Sequence, residues 1–325
     1  FYKISPRLGF SHVITDKSTF TFNYGLYYQT PVYQNIYLNT NRLEDPEALF
    51  EEGEGQVGNA TMGAERTQDY SVAFNVQVGE SWAYSFGAWV RDMDQMTRYS
   101  HERSGVYTYQ ISTNGDYGSA RGLDLTLEWR RASFGSQLQY TYSISKANSE
   151  YAWASISGQY VDAPSQEFIT YFDRPHGLTY YAYTMLPYGI QAGLTANYQS
   201  GYPYTPIIFR GKDPVADARN RNSKRGPGYK NINVSFSKYL KVMNHKIALG
   251  LNVFNVLDLR NPVDVYAMTG KPDDPGTYYT DYVGLPGTDP SGQGKYANKS
   301  SAYYDRPWRL SSPREINFFV RIDFD

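Results

Sequence analysis

The stretch "REINFFVRIDFD", residues 314–325, alternates from Ile316 to the last residue. Ile316, Phe318, Val320, Ile322 and Phe324 form one set, and Asn317, Phe319, Arg321, Asp323 and Asp325 form the other. A period of two puts each set on its own face of a β-strand, one suited to an apolar medium and one carrying charge. Chain ends usually fray into solvent unless something ties them down. A two-faced strand that runs to residue 325 therefore predicts lateral pairing on its edges and an apolar medium against one face.

The same alternation recurs upstream. Ile232, Val234 and Phe236 alternate with Asn231, Asn233 and Ser235, and Ile247, Leu249, Leu251 and Val253 with Ala248, Gly250 and Asn252. Further sets are Ile190 to Tyr198, Leu138 to Ile144, Leu123 to Trp129, Trp82 to Val90, Tyr70 to Val76 and Phe20 to Tyr28, each read at every second residue. The segments "YKISPRLGFSHVI" and "HGLTYYAYTML" follow the rule less cleanly. Eleven strands are expected, and none of the well-defined segments has a helical period.

Composition narrows the surroundings. Lys plus Arg (31) balances Asp plus Glu (32), so the chain lacks the basic footprint of a nucleic-acid binder. No stretch approaches the length of apolar residues that a transmembrane helix needs. A mean hydropathy of −0.58 does not exclude a membrane, because a barrel strand needs only every second residue apolar. The outlier is tyrosine, with 33 residues. Its apolar ring and polar tip suit boundaries between oil and water. There is no cysteine, so disulfides play no part, and the absence of a signal peptide after Phe1 reads as a processed or partial chain.

Connections alternate as the strands do. Short links fall at Thr15–Ser18, Gly79–Ser81, Ala132–Ser133, Pro187–Tyr188 and Met243–His245; long ones fall at about 31–66, 101–117, 147–173, 201–228 and 259–312. Loops beyond about 15 residues are uncommon in compact domains unless they are functional. The competing architecture is a soluble antiparallel sandwich. Its strands average about 5–6 residues, whereas most of these hold alternation for nine to twelve, enough for a tilted strand to cross a bilayer. Trp82, Trp129, Tyr142, Tyr188 and Tyr198 fall near strand ends, where a membrane barrel carries its aromatic girdles. The expected fold is all-β, a transmembrane antiparallel up-and-down β-barrel. Bacterial barrels have even strand numbers, so eleven strands predict the C-terminal half of a barrel of roughly twenty-two.

Several blocks together, "ISPRLGFSHVITDKSTFTFNYGLYYQTP", "YGSARGLDLTLEWR", "FDRPHGLTYYAYTML", "GYPYTP" and "VFNVLDLRNP", resemble the C-terminal barrel of TonB-dependent outer-membrane receptors. The similarity is greatest to the Oar-like subgroup with a carboxypeptidase-regulatory-like N-terminal domain. Asp325 departs from the family's usual terminal aromatic, with Phe324 one place earlier. The resemblance implies that residues 1–325 are the C-terminal part of the barrel of an importer in the outer membrane of a Gram-negative bacterium. It also implies a plug and any regulatory domain N-terminal to Phe1. The implied partners are outer-membrane lipid and lipopolysaccharide, the TonB–ExbB–ExbD energy-coupling system acting through the N-terminal part, and a surface lipoprotein. The implied cargo is a bulky ligand: a siderophore, glycan, peptide or similar. The alternatives are a scaffold or adhesin barrel without transport, and a passive porin.

Candidate residues follow from the faces. Arg7, Asp69, Arg91, Asp124, Glu128, Arg130, Arg321 and Asp323 are placed on the lumen face, where they would meet a plug or line a pore. Ligand contacts are expected from the aromatic outer loops: Tyr33, Tyr37, Tyr151, Trp153, Tyr202, Tyr204, Tyr303 and Trp308. Tyrosine makes adaptable contacts at low entropy cost; the bland alternative is that these rings pack loops together. His176 in "FDRPHG" reads as structural, and no catalytic triad is visible, so no enzyme is expected. The acidic stretches "EDPEALFEEGEGQ" and "KPDDPGTYYTDY" lack the ligand spacing of a calcium loop, so no metal or cofactor is expected. The basic stretch "DARNRNSKRGPGYK" reads as solvated, with an anion as the alternative.

The topology makes a direct prediction. A cysteine placed at Gly287 should react with an impermeant maleimide in intact cells, and one at Asn244 should react only after lysis. The reverse pattern would invert the orientation.

Overall fold

The computed structural model describes residues 2–40, 55–104, 107–148, 166–211, 213–242, 245–274 and 309–323. Its long strands are β1 (Arg7–Thr15), β2 (Ser18–Gln29), β4 (Glu65–Val78), β5 (Trp82–Ser104), β6 (Tyr107–Arg131), β7 (Phe134–Ala147), β9 (His176–Leu186), β10 (Ile190–Gln199), β15 (Tyr229–Val242), β16 (His245–Phe254) and β17 (Glu315–Asp323). They follow one another in chain order through one sheet, each hydrogen-bonded to the next. The eleven expected strands are these eleven.

Smaller elements occupy the long connections. One helix, α1 (Tyr33–Tyr37), and β3 (Gln56–Val57) lie between β2 and β4, and β8 (Phe168–Ile169) precedes β9. Between β10 and β15 come β11 (Pro203–Tyr204), β12 (Ile207–Arg210), β13 (Asp213–Ala216) and β14 (Lys224–Arg225). β3 pairs in parallel with β6, whereas β8 with β7, β11 with β14 and β12 with β13 pair antiparallel.

Register confirms the two faces. Ile316, Phe318, Val320 and Ile322 stand opposite Val253, Leu251, Leu249 and Ile247. Val253, Leu251 and Ile247 in turn face Val234, Phe236 and Leu240, and Val234 faces Leu194. Residues directly opposite in an antiparallel pair share a face, so these rows make an apolar column, interrupted where Lys238 stands opposite Leu249. The intervening rows carry the polar pairs, Asn317 opposite Asn252, Asn252 opposite Ser235 and Asn231 opposite Asn197, together with rings set against small residues, such as Phe319 opposite Gly250. β1 obeys the same rule, with Leu8 and Phe10 opposite Tyr24 and Phe22 on one face and Arg7, Gly9 and Ser11 opposite Gly25, Asn23 and Thr21 on the other.

The short links among the described residues are tight turns. At Pro187–Gly189 both Tyr188 (φ 65°) and Gly189 (φ 70°) are left-handed, a conformation that matches the twist of an antiparallel hairpin. Near these turns Trp82 stacks on Trp129 at 5.6 Å, and Trp129 meets Phe134 at 4.8 Å. This is an aromatic band at one end of the strands.

One expectation needs correction. Residues 101–117 were expected to be a loop, but β5 runs to Ser104 and β6 begins at Tyr107. These strands hold 23 and 25 residues, about twice what a bilayer crossing requires. In "YTYQISTNG" Tyr107, Tyr109 and Ile111 alternate with Thr108, Gln110 and Ser112, a strand signal that the long-loop reading overlooks, whereas "TRYS" is polar at most positions. Within β5 Gln95 is left-handed (φ 54°), and its carbonyl accepts from Asn114 Nδ2 at 2.7 Å.

Contacts divide the chain into two compact units, and the division falls inside β4, β5, β6 and β7. The first comprises Phe1–Phe74, Gly87–Leu123 and Ile144–Thr170. In it the connection after β2 folds against β6 around buried Val57, Met62 and Ala64. Asn114 supports that fold by accepting from Gly63 N at 2.7 Å and donating to Gly63 O at 3.1 Å. The second unit comprises Asn75–Phe86, Asp124–Ser143 and Tyr171–Asp325.

The faces give the second prediction. Leu251→Arg places a cation in the middle of the apolar column, which costs about 2–4 kcal/mol in lipid near the midplane. Asn252→Arg, one residue along, should cost far less. Heat-modifiable migration on a gel should be lost in the first variant and kept in the second; equal loss would refute the assignment of faces.

Candidate functional site

The ends of the strands with long connections carry the most organised polar chemistry in the second unit. Asp173 lies just before β9 with its side chain 1% exposed. Its carboxylate pairs with Arg225 Nη2, and Arg225 Nη1 donates to the Asp173 carbonyl at 2.7 Å. A buried carboxylate keeps its charge only where a cation and hydrogen bonds replace water. Because Arg225 sits in β14, opposite Pro203 of β11, this pair ties residues 171–175 to residues 201–228. Gly201 is required at the crossing, since a Cβ there would collide with the Gly226 carbonyl. His176 N donates to Ser200 Oγ at 3.1 Å, and His176 Nδ1 and Tyr140 Oη form a 2.8 Å hydrogen bond.

Asparagines fix the floor beneath. Asn261 exchanges two 2.7 Å hydrogen bonds with the Lys230 backbone. Asn255, left-handed at φ 52°, accepts from Leu259 N and donates to the Leu259 and Ser312 carbonyls. Left-handed backbone favours Asn over bulkier residues, and its amide closes the turn. The motif "VFNVLDLRNP" thus has a local physical cause.

Between these tied segments is a cavity of about 430 Å³, within the usual range of small-molecule sites. Its lining includes Tyr171, Phe172, Tyr202, Tyr204, Pro262 and Asp264. Tyr171 and Phe172 meet edge to face, with ring centroids 5.2 Å apart and planes at 84°. The Arg174 guanidinium stacks 3.5 Å from the Tyr202 ring centre and donates to Gln199 Oε1. Asp264 pairs with Arg309 at 3.4 Å, and that guanidinium stacks on Tyr266 at 3.7 Å. Asp217, in the adjoining connection, is held below the usual carboxylate range, chiefly by a hydrogen bond from Asn220 Nδ2 at 2.8 Å.

Of the residues singled out from sequence, Tyr202 and Tyr204 enter this cavity. Tyr33 and Tyr37 lie one turn apart on α1 in the first unit, exposed, with rings 6.1 Å apart. Tyr151, Trp153, Tyr303 and Trp308 fall outside the described residues, as does the acidic stretch 44–54. On the polar face Asp69 and Arg91 pair at 2.5 Å, and Glu128 accepts from both Arg130 and Gln137 at 2.9 Å. Asp124 accepts from Thr141 Oγ1 at 2.6 Å, Arg7 stacks on Tyr27 at 4.7 Å, and Arg321 and Asp323 stand opposite Ala248 and Lys246. Arg225, read as solvated, is instead a structural tie.

Sequence reading missed Tyr171, Phe172, Pro262 and Asp264. The signal available was the aromatic pair immediately before "DRPHG". It also missed aromatic rings on the polar face. Tyr181 and Tyr183 share that face with Thr195 and Gly193, whereas Phe319, already placed in the polar set by its parity, stands opposite Gly250.

The family model described as TonB dependent receptor-like, beta-barrel, matches residues 1–256. The chain belongs to this family, and it is an outer-membrane β-barrel protein. No curated protein sequence matches it. Among solved structures it is similar to the outer membrane transporter YddB from Escherichia coli, at 14% identity and a TM-score of 0.61, over 81% of this chain and 38% of that one. A mutant of the ferric enterobactin receptor from Pseudomonas aeruginosa matches at 14% identity and a TM-score of 0.57, over 98% of this chain and 39% of that one. The ferripyoverdine receptor of the same organism matches at 10% identity and 0.53, over 82% and 30%. The chain thus spans well under half the length of these structures. At such identities the likeness is one of fold.

The tie between Asp173 and Arg225 yields a third prediction. Removing one partner of a buried pair costs about 3–5 kcal/mol, because the other charge stays buried. In Arg225→Ala the segments around 171–175 and 201–228 should be cut by low concentrations of protease, with the barrel still heat-modifiable. Limited proteolysis with mass spectrometry reads the cut sites, and an unchanged digest would show that the pair does not hold these segments.

Proposed function

We propose that residues 1–325 form the C-terminal part of the barrel of a TonB-dependent importer, which captures a bulky ligand at its outer loops and passes it inward. The observation that carries this reading is the aromatic cavity at the long-connection end of the strands, held open by a buried ion pair. Solvent-exposed aromatic rings away from the lipid-facing column need another occupant, and a ligand supplies one. β1 and β17 each have a single neighbour among the described strands, so the rest of the barrel pairs along both edges. The polar face, with Asp69–Arg91 and Glu128–Arg130, meets a plug supplied by the N-terminal part, through which TonB–ExbB–ExbD would act. Lipid and lipopolysaccharide cover the apolar face.

Three strains of the native host separate the readings: wild type, receptor deletion, and tonB disruption. Spent rich medium from each is compared by mass spectrometry. Energised import predicts compounds depleted by the wild type and spared by both mutants. Depletion that persists without TonB would identify a passive pore, and no difference between wild type and deletion would identify a scaffold.

A further inference from the structure

We infer that the cavity beside Asp173–Arg225 takes a neutral, polyhydroxylated ring ligand, that is, a carbohydrate unit; this rests on the importer reading above. Charge decides between ligand classes. The described lining contains no lysine, arginine or histidine, and its one charged side chain is Asp264. That carboxylate is 65% exposed, whereas the guanidinium of Arg309 that pairs with it is only 15% exposed. An anionic ligand would therefore meet a carboxylate first, with its counter-charge covered.

At Tyr202 a cation fares no better. Aromatic faces attract cations through their ring quadrupole. Here the Arg174 guanidinium already lies 3.5 Å from the Tyr202 ring centre, and a second cation against the same ring would be repelled by it. What remains attractive is the ring face itself. The hydrogens on the apolar face of a pyranose carry partial positive charge and sit well on the negative faces of Tyr171 and Phe172. Three further features fit a polyol. Asp264 Oδ1 is oriented by Val265 N at 2.8 Å and keeps lone pairs for hydroxyl donors. Tyr171, Tyr202 and Tyr204 add phenolic groups that both donate and accept. Pro203, Pro227 and Pro262 make the remaining wall rigid, so little conformational entropy is lost when a ring binds.

The test uses the whole receptor, purified in detergent, fluorescently labelled and applied to a broad glycan array. Binding to at least one glycan series is expected. Phe172→Ala, which removes an exposed ring without touching the Arg174 or Arg225 contacts, should weaken that binding about tenfold. Asp264→Asn, close in shape, should weaken it as well, and both variants should remain heat-modifiable. A blank array, or binding unchanged in both variants, would overturn the carbohydrate assignment. The three-strain depletion experiment does not depend on ligand class. Compounds spared by both mutants, combined with a blank array, would leave import standing and remove only this inference.

Discussion

A backbone that crosses hydrocarbon must satisfy every N–H and C=O within the protein, because the medium offers no partner. A ladder of long antiparallel strands meets that constraint, and everything else in this chain is arranged around it. The ten-residue register between β10 and β15 and the nine-residue register between β16 and β17 run without interruption. Once the ladder fixes the period at two, side chains on one face answer to lipid and those on the other to water and protein. Proline is correspondingly confined to connections and to the two short loop ladders, where a missing N–H costs nothing in the main sheet.

Departures from the apolar column occur where the constraint ends. Lys238 stands opposite Ile190 and Leu249, in line with the apolar rows, but one row from the Pro187–Gly189 turn, where a long side chain reaches water. Arg66 and Asp94 likewise continue the apolar parity of β4 and β5 at the opposite end. There the guanidinium donates to both carboxylate oxygens. A forked pair of this kind carries charge at a boundary with little exposed net field. The Trp82–Trp129–Phe134 band marks the other limit.

This explains what was legible in the sequence. Strand count, order, faces and the five short turns follow from alternation, because lipid enforces alternation on every crossing strand. The outer half of β6 was legible but overlooked: Tyr107, Tyr109 and Ile111 alternate with Thr108, Gln110 and Ser112, while "TRYS" in β5 carries no such pattern. α1 escaped notice because five residues are too few to establish a helical period. Tyr202 and Tyr204 were found by composition, whereas Tyr171 and Phe172 reach the same cavity only because Asp173 is drawn to Arg225, 52 residues away. No local pattern encodes a contact of that range. Asp264 was missed for the same reason, since its role depends on Arg309, 45 residues further along the chain.

The polar face poses a subtler problem, which glycine solves. Large rings on that face, Tyr183 and Phe319, would be expected to project away from the sheet. Instead each lies across a glycine on the neighbouring strand: Tyr183 over Gly135 and Phe319 over Gly250. A Cβ at either position would collide with the ring, so the glycine is needed for the close approach rather than for an unusual backbone angle. Glycine inside a strand is ordinarily a weakness, because it packs nothing and loses more entropy on folding. A ring laid flat over it covers the exposed ladder and recovers apolar contact. The result is a wall that is apolar in patches yet smooth, flanked by the hydroxyl and amide groups of the neighbouring rows, Asn252 and Ser235. Glycine and aromatic residues on the polar face therefore have to be read as cross-strand pairs, and "HGLTYYAYTML" breaks strict alternation because Tyr181 and Tyr183 answer to partners on adjacent strands.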